Sequence, residues 1–349
     1  MSPPGRWKRI YFMTPTFFPA GGVVKLFDYV NHAISLGYEP VIACPERYKP
    51  GLLLFENERF SGISPENGVR FIRLEQVSVG PYDLAFLSWP THYPLLEPRI
   101  SRWSRHEQVI QIVQNVRWAN PTFERGHAVR SLSRPMARIL TNDVVLQACQ
   151  PYLNPSSMTE VIDLGHNAEF FSKNRTGSLG SPTKVGYTTW KSDVGDRVVA
   201  KLSGSEEFEF RAVREPVGWS ELRELYHWAD VFLATPMAEE GFYLPGLEAM
   251  AAGAIVVTSD AGGNLAYCSF GDNCVEADFD NADSYAKALT DLRAITVSEI
   301  ERFRRAGYET VGRHTLDRER RQFSDFMERL VQRLDRMDPR ATSLSNGDS

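Results

Sequence analysis

Short apolar runs alternate along this chain with stretches in which apolar residues recur at helical spacing. The run RIYFMT at 9–14 predicts a buried strand, and apolar residues three and four positions apart from Val23 to Leu36 predict a helix. Gly37 suits the position just after that helix, and a second strand is expected at 38–44. A strand, a helix and a strand in this order predict a parallel pair in an α/β sheet.

The same alternation continues to the end of the chain, with one polar interruption. Further strands are predicted at 69–74, 84–87, 108–113, 138–141, 160–164, 184–187, 208–213, 231–234 and 255–258. Helices of the second half are predicted at 195–202, 220–228 and 245–252. The pattern predicts an α/β protein with two Rossmann-like domains that face each other across a cleft, with ligands at the carboxyl ends of the strands.

The interruption is the segment 172–183, SKNRTGSLGSPT, whose Gly, Ser and Pro content indicates an interdomain linker. It separates an N-terminal domain at 1–171 from a C-terminal domain at 184–317. A charged helix at 318–337 is expected to pack back on the N-terminal domain. The polar tail 338–349 is expected to be disordered.

Length and composition agree with this division and point to a cytoplasmic protein. A chain of 349 residues suits two domains, and no apolar run reaches the about 18 residues of a membrane span. The N-terminus lacks the apolar core of a secretory signal. Four cysteines, at positions 44, 149, 268 and 274, show no metal-binding spacing and suit buried thiols in a reducing compartment. No His/Cys/Asp cluster in the sequence suggests a metal site, so we expect neither a metal ion nor a cofactor.

Charge is spread unevenly along the chain, although the net charge is −5. The region 99–138 holds only two acids and eight arginines: Arg99, Arg102, Arg105, Arg117, Arg125, Arg130, Arg134 and Arg138. Such a basic region suits an anionic or lipid-linked partner, or peripheral contact with the inner face of an anionic membrane. A solvated surface explains it equally well. Nucleic acid is not expected, because the whole chain is acidic and carries no stacking module.

The residues with the strongest chemical signal lie at 239–263, EEGFYLPGLEAMAAGAIVVTSDAGG. Glu240 and Glu248 flank a Gly- and Pro-rich turn that opens a helix, and Pro245 suits the first helical position. Free N–H groups at the helix start can hold an anion. Two acids that accept from hydroxyls, on both sides of a phosphate, describe a nucleotide sugar. For Glu248 alone, a first-turn acid favoured by the helix dipole is the simpler explanation.

The stretch 229–263 resembles the donor-site signature of the family 4 retaining glycosyltransferases, which have the GT-B fold. Its two glutamates, Glu240 and Glu248, are separated by seven residues, as in that family. The resemblance implies that Glu248 binds the ribose hydroxyls of the donor and that Glu240 contacts the transferred sugar and is catalytic. It makes the N-terminal domain the acceptor side and the C-terminal domain the nucleotide-sugar side.

The resemblance also implies a backbone cradle for the sugar and the diphosphate. In the donor domain the residues that would line it are Gly241, Phe242, Tyr243, Leu244, Gly246 and Leu247. In the other domain Gly21, Gly22 and Val23 resemble the glycine-rich loop of the family, which follows the first strand. A plain turn is the alternative for this Gly-Gly pair.

Two departures from the family pattern concern the cations and the histidine. The family has an arginine and a lysine after the first strand of the donor domain, whereas here Tyr187 stands at the arginine position. Lys191, in the Trp-Lys pair that resembles a variant of some members, is the expected phosphate cation and catalytic residue. Lys184 or Arg197 are candidates to assist, and an ordinary surface lysine is the alternative for Lys191.

Gln114 and Asn115 occupy the place of the family histidine, as in some rhamnosyltransferase-like members, and are candidates for sugar or acceptor contact. His92 is a further candidate for acceptor contact, and a plain loop residue is the alternative. His166 lies at the domain junction and is interpreted as structural.

The resemblance therefore implies a retaining glycosyltransferase of hexosyltransferase type, which moves a sugar from a nucleotide diphosphate to an acceptor hydroxyl. Glycan, polysaccharide, glycolipid or glycosylated-metabolite biosynthesis are the corresponding roles. Two alternatives stay open. One is a nucleotide-sugar hydrolase or epimerase on the same fold, and the other is a non-catalytic GT-B subunit that scaffolds a partner enzyme.

Overall fold

The structure, a computed structural model, describes residues 5–49, 51–99 and 106–337, without the side chain of Arg99. It divides into two compact units. The first unit is built from the described residues up to 114, from 118–163 and from 319–337. The second unit is built from 115–117 and 164–318. The tail 338–349, which we expected to be disordered, lies outside the described residues.

The first unit contains a parallel sheet in the Rossmann strand order. Its strands are β1 (Arg9–Met13), β2 (Glu39–Cys44), β3 (Arg70–Arg73), β4 (Asp83–Leu87), β5 (Val109–Val113), β6 (Ala137–Leu140) and β7 (Thr159–Val161). The order across the sheet is β3-β2-β1-β4-β5-β6-β7, and every pair is parallel. Apolar residues of the central strands are buried on both faces, as a sheet covered by helices requires.

The second unit contains a parallel sheet in the other common doubly wound order. Its strands are β8 (Thr183–Thr188), β9 (Phe208–Val213), β10 (Val231–Ala234), β11 (Ile255–Thr258) and β12 (Cys274–Glu276). The order is β12-β11-β10-β8-β9, so the direction of winding reverses between β8 and β10. In such sheets ligands bind at the carboxyl ends of the strands beside this switch point.

Helices connect the strands within both units. They are α1 (Gly21–Ser35), α2 (His92–Leu96), α3 (His127–Leu132), α4 (Asp143–Cys149), α5 (Ala168–Phe171), α6 (Val194–Leu202), α7 (Trp219–Trp228), α8 (Leu244–Ala251), α9 (Ala282–Ala294), α10 (Val297–Arg313) and α11 (Leu316–Met337). None of the helices in the described part of the chain is both long and apolar enough to cross a membrane.

The segment 172–183, interpreted as a linker from its composition, lies inside the second unit. Side chains from elsewhere in that unit hold it. Arg175 forms an ion pair with Asp230 at 2.9 Å, and the Tyr308 hydroxyl donates to the Lys173 carbonyl at 2.8 Å. The composition of the segment does not reveal these partners, because they lie 55 and more residues away.

The C-terminal helix α11 packs in the first unit from residue 319 onward. Glu319 accepts a bond from the ammonium of Lys25 at 2.7 Å, and both side chains are buried. Phe323 packs edge-on against Tyr29, with ring centroids 5.0 Å apart. Asp335 accepts from the indole N–H of Trp7 at 2.8 Å. The amphipathic pattern of α11 thus covers one face of the first unit.

Candidate active site

The switch point of the second sheet brings Lys191 and Glu240 together. Lys191 follows β8 by three residues, and Glu240 lies in the loop that follows β10. Because β8 and β10 are parallel neighbours, their carboxyl ends lie at the same edge of the sheet. The ammonium of Lys191 contacts the carboxylate of Glu240 directly. The two residues that we expected to be catalytic are thus partners, although 49 positions separate them.

The two side chains of the Lys191–Glu240 pair differ in their exposure to solvent. The side chain of Glu240 is 9% exposed, whereas that of Lys191 is 37% exposed. The Lys191 ammonium also lies 5.1 Å from the centre of the Tyr243 ring, which is within cation–π range. A positive charge is therefore held beside a buried carboxylate, and part of it stays in contact with solvent.

Two backbone segments cross closely at Glu240. Gly262 forms an isolated parallel bridge with Glu240, and the Gly263 N–H donates to the Glu240 carbonyl at 2.9 Å. A Cβ atom on Gly263 would lie 2.0 Å from the Gly241 carbonyl oxygen, so only glycine fits. The Gly-Gly pair at the end of the 239–263 motif thus fixes the loop that carries Glu240.

The predicted cradle forms the start of α8. Leu244 is the first helical residue and Pro245 the second, so the helix begins one residue earlier than predicted. Phe242 packs against Tyr267, with ring centroids 4.7 Å apart. Tyr267 also donates its hydroxyl to the Tyr243 carbonyl at 2.8 Å.

Gly246 leaves room for the same tyrosine. A Cβ atom at this position would lie 2.2 Å from the Tyr267 hydroxyl oxygen. The backbone of 241–247, which holds the predicted donor-binding residues, is therefore one continuous and tightly packed segment.

Glu248 is not a first-turn residue, which corrects the dipole explanation. It is the fifth residue of α8, and no acid lies in the first turn of that helix. Its carboxylate is 6% exposed and has two protein partners. Oε1 lies 2.8 Å from Nε2 of His166, and Oε2 accepts from the Tyr226 hydroxyl at 2.7 Å. Burial and the neighbouring Glu248 raise the pKa of Tyr226 well above its ordinary value, which keeps the phenol protonated as a donor.

The two candidate assisting cations, Lys184 and Arg197, have other partners in the structure. Lys184 is the second residue of β8, about 13 Å from its carboxyl end at 3.3 Å per residue, and its ammonium lies over the Trp228 ring. Arg197 forms ion pairs with Asp193, at 3.0 Å, and with Asp280. Lys184 and Arg197 are therefore poor candidates for a phosphate cation.

Tyr187, at the position of the family arginine, is a buried packing residue. Its hydroxyl donates to Asp196 at 2.7 Å. Its ring fills the space beside Gly195, where a Cβ atom would lie 2.1 Å from Cδ2 of the ring. Asp196 also forms two bonds with Arg214, at 2.6 and 2.7 Å. The arginine charge is thus missing at position 187, and Lys191 remains as the candidate cation.

In the first unit the structure joins Gly22 and Gln114. Gly21 and Gly22, which were expected to lie in a loop, form the first turn of α1 together with Val23, and the helix begins at Gly21. The Gln114 side-chain amide donates to the Gly22 carbonyl at 3.1 Å. Asn115 belongs to the second unit, where its Oδ1 accepts from Arg117 at 3.1 Å. The two adjacent amides therefore have separate surroundings.

His92 is the first residue of α2 and is 2% exposed, so it is not a plain loop residue. Burial lowers the pKa of His92 to about 4, although a bond with the Met13 backbone partly opposes this shift. The ring is therefore neutral at physiological pH.

Not every arginine of the region 99–138 contributes to a basic surface. Arg138 is fully buried and donates to backbone carbonyls, including that of Ser131 at 2.8 Å, so it is not part of any basic surface. Arg125, Arg130 and Arg134 are exposed. Arg102 and Arg105 lie outside the described residues, as does the side chain of Arg99.

Within 5–49, 51–99 and 106–337, no group of three or more His, Cys, Asp or Glu side chains is placed to hold a metal ion.

Two doubly wound parallel sheets, of seven and five strands, and the solved structures that share them place the chain in the GT-B class of folds. Residues 194–294 match the family model of glycosyl transferases group 1. The comparison with curated protein sequences finds no match.

Solved structures show the same fold over nearly the whole chain. HepE from Anabaena, in complex with UDP and glucose, has a TM-score of 0.68 at 12% identity and covers 92% of this chain and 99% of its own. Sucrose-phosphate synthase from Thermosynechococcus elongatus has a TM-score of 0.64 at 12% identity, with coverage of 93% and 99%. A glycosyltransferase from Rickettsia africae has a TM-score of 0.63 at 13% identity, with coverage of 93% and 98%. The predicted GT-B fold and the resemblance to GT-B glycosyltransferases are confirmed.

Tyr226 was not predicted as a site residue, and His166 was interpreted only as structural. Tyr226 lies on α7, where an aromatic residue at helical spacing is typical of a core position. The only signal in the sequence is the hydroxyl of a tyrosine at a core position, because a buried tyrosine hydroxyl usually forms a hydrogen bond.

Proposed function

We propose that the protein is a retaining glycosyltransferase that moves a sugar from a nucleoside-diphosphate donor to an acceptor hydroxyl. The observation that carries the proposal is the contact between Lys191 and Glu240 at the switch point of the second sheet. One side chain is a cation for the diphosphate leaving group, and the other accepts from sugar hydroxyls. The match of residues 194–294 to glycosyl transferases group 1 supports this assignment.

In the proposed reaction the chain contributes positioning and electrostatic stabilisation. Lys191 and the N–H groups at the start of α8 stabilise the negative charge that grows on the diphosphate as the bond to the anomeric carbon breaks. The acceptor attacks from the face that the leaving group vacates, and the β-phosphate oxygen of the donor takes its proton. Glu240 holds the sugar in place. No step uses a metal ion.

The donor is proposed to be a nucleotide sugar, and UDP-glucose is the first to test. HepE, whose structure is similar, is described in complexes with UDP and with UDP-glucose. Glu248 is proposed to bind the ribose, and the backbone of 241–247 to line the sugar and diphosphate.

The acceptor is proposed to be anionic or lipid-linked, and to be reached at the inner face of the membrane. The exposed Arg125, Arg130 and Arg134 support this part of the proposal. Flotation with anionic vesicles at low salt tests it. Recovery of the protein with neutral and anionic vesicles alike would contradict an electrostatic contact.

The function is tested first by thermal-shift screening and calorimetry with UDP, GDP, ADP and their sugars, since a ligand stabilises the state that binds it. We expect stabilisation by one nucleotide sugar and slow release of its nucleoside diphosphate. Glu240→Ala should stay folded, bind the nucleotide and lose sugar transfer. Binding to none of the nucleotides would favour a scaffold subunit, and near-wild-type turnover of Glu240→Ala would remove its catalytic assignment.

A further inference from the structure

Both carboxylate oxygens of Glu248 are already occupied by one protein donor each. His166 bonds Oε1 at 2.8 Å and Tyr226 bonds Oε2 at 2.7 Å. The three side chains are buried in the second unit. A carboxylate has about four lone-pair positions. Each oxygen therefore keeps capacity for one more bond, and the two oxygens together match a pair of neighbouring hydroxyls.

The chemistry of the three groups fixes which of them donates. A carboxylate is an acceptor only, so Nε2 of His166 must carry the hydrogen. Nδ1 of His166 has no hydrogen-bond partner among the described residues, and a proton there would be a buried donor without an acceptor. Glu248 thus accepts one bond from each of two side-chain donors, His166 Nε2 and the Tyr226 hydroxyl.

Phe171 fixes the orientation of both donor rings. It stacks on His166 with ring centroids 5.7 Å apart and an interplanar angle of 16°. It packs edge-on against Tyr226 at 5.6 Å and 74°. The backbone of His166 is also anchored, because its N–H donates to the His314 carbonyl at 3.0 Å. The orientation of the Glu248 carboxylate is thus set by Tyr226 and His166, which lie 22 and 82 residues away from it in the sequence.

We propose that His166 and Tyr226 are positioning residues that hold Glu248 as a prearranged double acceptor for the 2′- and 3′-hydroxyls of the donor ribose. This inference rests on the proposed function, in which Glu248 binds the ribose. It makes the donor a ribonucleoside diphosphate sugar and disfavours a 2′-deoxyribonucleotide such as dTDP. A deoxyribose leaves one of the two acceptors of a buried charged group without its partner.

The test is a thermodynamic cycle between side chains and ligand hydroxyls, measured by calorimetry on the full chain. UDP, GDP and ADP are each compared with the corresponding 2′,3′-dideoxy nucleotide. The wild type should prefer the best ribonucleotide by about tenfold or more over its dideoxy form. Tyr226→Phe and His166→Ala should lower affinity for the ribonucleotide by about tenfold and for the dideoxy form by less than about twofold. His166→Gln, whose amide can replace the Nε2 donor, should restore most of the preference.

Tyr308→Phe is the matched control, because it removes a tyrosine hydroxyl in the same unit that bonds Lys173 and Arg175 and not Glu248. This variant should leave the preference for the ribonucleotide over its dideoxy form unchanged. If Tyr226→Phe and His166→Ala weaken both ligands by the same factor, or if the wild type shows no preference, the inference is overturned while the proposed function stands. Absence of binding of all three ribonucleotides to the wild type would overturn both.

Discussion

The Lys191 ammonium contacts the Glu240 carboxylate where the winding of the second sheet reverses. The contact pairs a cation suited to a leaving diphosphate with an acid suited to sugar hydroxyls. In the structure each neutralises the other, so a bound diphosphate would compete with Glu240 for Lys191. The strength of donor binding should therefore depend on this one lysine.

Lys191→Ala should weaken binding of the nucleoside diphosphate by about 10- to 100-fold, because a charge-assisted bond contributes about 1.5–3 kcal/mol. It should also lower the free energy of unfolding by about 1–3 kcal/mol, because the Glu240 carboxylate, only 9% exposed, loses its cation. Calorimetry with UDP and urea denaturation measure the two quantities.

Lys184→Ala is the control for Lys191→Ala, since it removes the same charge near the amino end of β8, the strand that precedes Lys191. It should bind UDP like the wild type. An equal loss of affinity in both variants would mean that overall charge, and not the position of Lys191, determines binding.

Gly246→Ala should destabilise the protein by about 1–3 kcal/mol, because overpacking forces neighbouring groups to move. The added Cβ would lie 2.2 Å from the Tyr267 hydroxyl, which holds the Tyr243 carbonyl at the start of α8. The shifted backbone should also weaken UDP binding. Urea denaturation and calorimetry check these effects.

The double variant Gly246→Ala/Tyr267→Phe tests the cause, since removal of the hydroxyl opens the space. It should be less destabilised than the sum of the single variants. Gly312→Ala is the matched control, because Gly312 lies in α10 with nothing within 4 Å of the added atom. It should stabilise slightly through helix propensity. If the losses of stability in the two single variants add up to the loss in the double variant, the contact between the added Cβ and the Tyr267 hydroxyl is not the cause of the destabilisation.

The sequence predicted four of the five strands of the second sheet, and β12 was not predicted. The bounds of β9, β10 and β11 are those expected, because short runs that are largely apolar have few alternatives in an α/β pattern. Two long helices, α9 and α10, were missed, although Asn281 caps the first and Thr296 with Glu299 forms a capping box at the second. Gly21 and Gly22 were assigned to a loop because glycine disfavours helices, and tertiary packing outweighed that preference.

Contacts across long sequence separations could not be predicted from the motif. The contact of Lys191 with Glu240 depends on β8 lying beside β10, which is a property of strand order. The bond of Tyr226 to Glu248 joins two helices whose packing no local pattern encodes. The resemblance assigned roles to Glu240 and Glu248, whereas only the folded chain gives the partners that hold them.

Treatment with EDTA should leave sugar transfer unchanged, because Lys191 and the start of α8 are proposed to supply the positive potential at the diphosphate. The measurement is release of the nucleoside diphosphate from the donor that the screen identifies, before and after chelation. Addition of Mg²⁺ or Mn²⁺ to the chelated enzyme is the control. Loss of transfer with EDTA that either ion restores would contradict a metal-independent reaction.

His92 should make the first unit sensitive to acid. Burial lowers its pKa to about 4 in the folded chain, whereas an unfolded histidine has a pKa of about 6.5. Between these values the unfolded chain binds a proton that the folded chain does not, so stability is fully present above pH 6.5 and falls as the pH decreases toward 4. The loss at the end of this window is about 3 kcal/mol, because each pKa unit corresponds to about 1.4 kcal/mol.

His92→Gln should remove this part of the pH dependence. Urea denaturation of both proteins at pH 8, 6.5, 5.5 and 4.5 measures it, with the values at pH 8 used to subtract any constant cost of the substitution. The wild type should lose stability more steeply than the variant as the pH falls below 6.5. If the stability of the two proteins falls in parallel as the pH decreases, His92 is protonated in the folded protein, and the prediction of a neutral, buried ring is wrong.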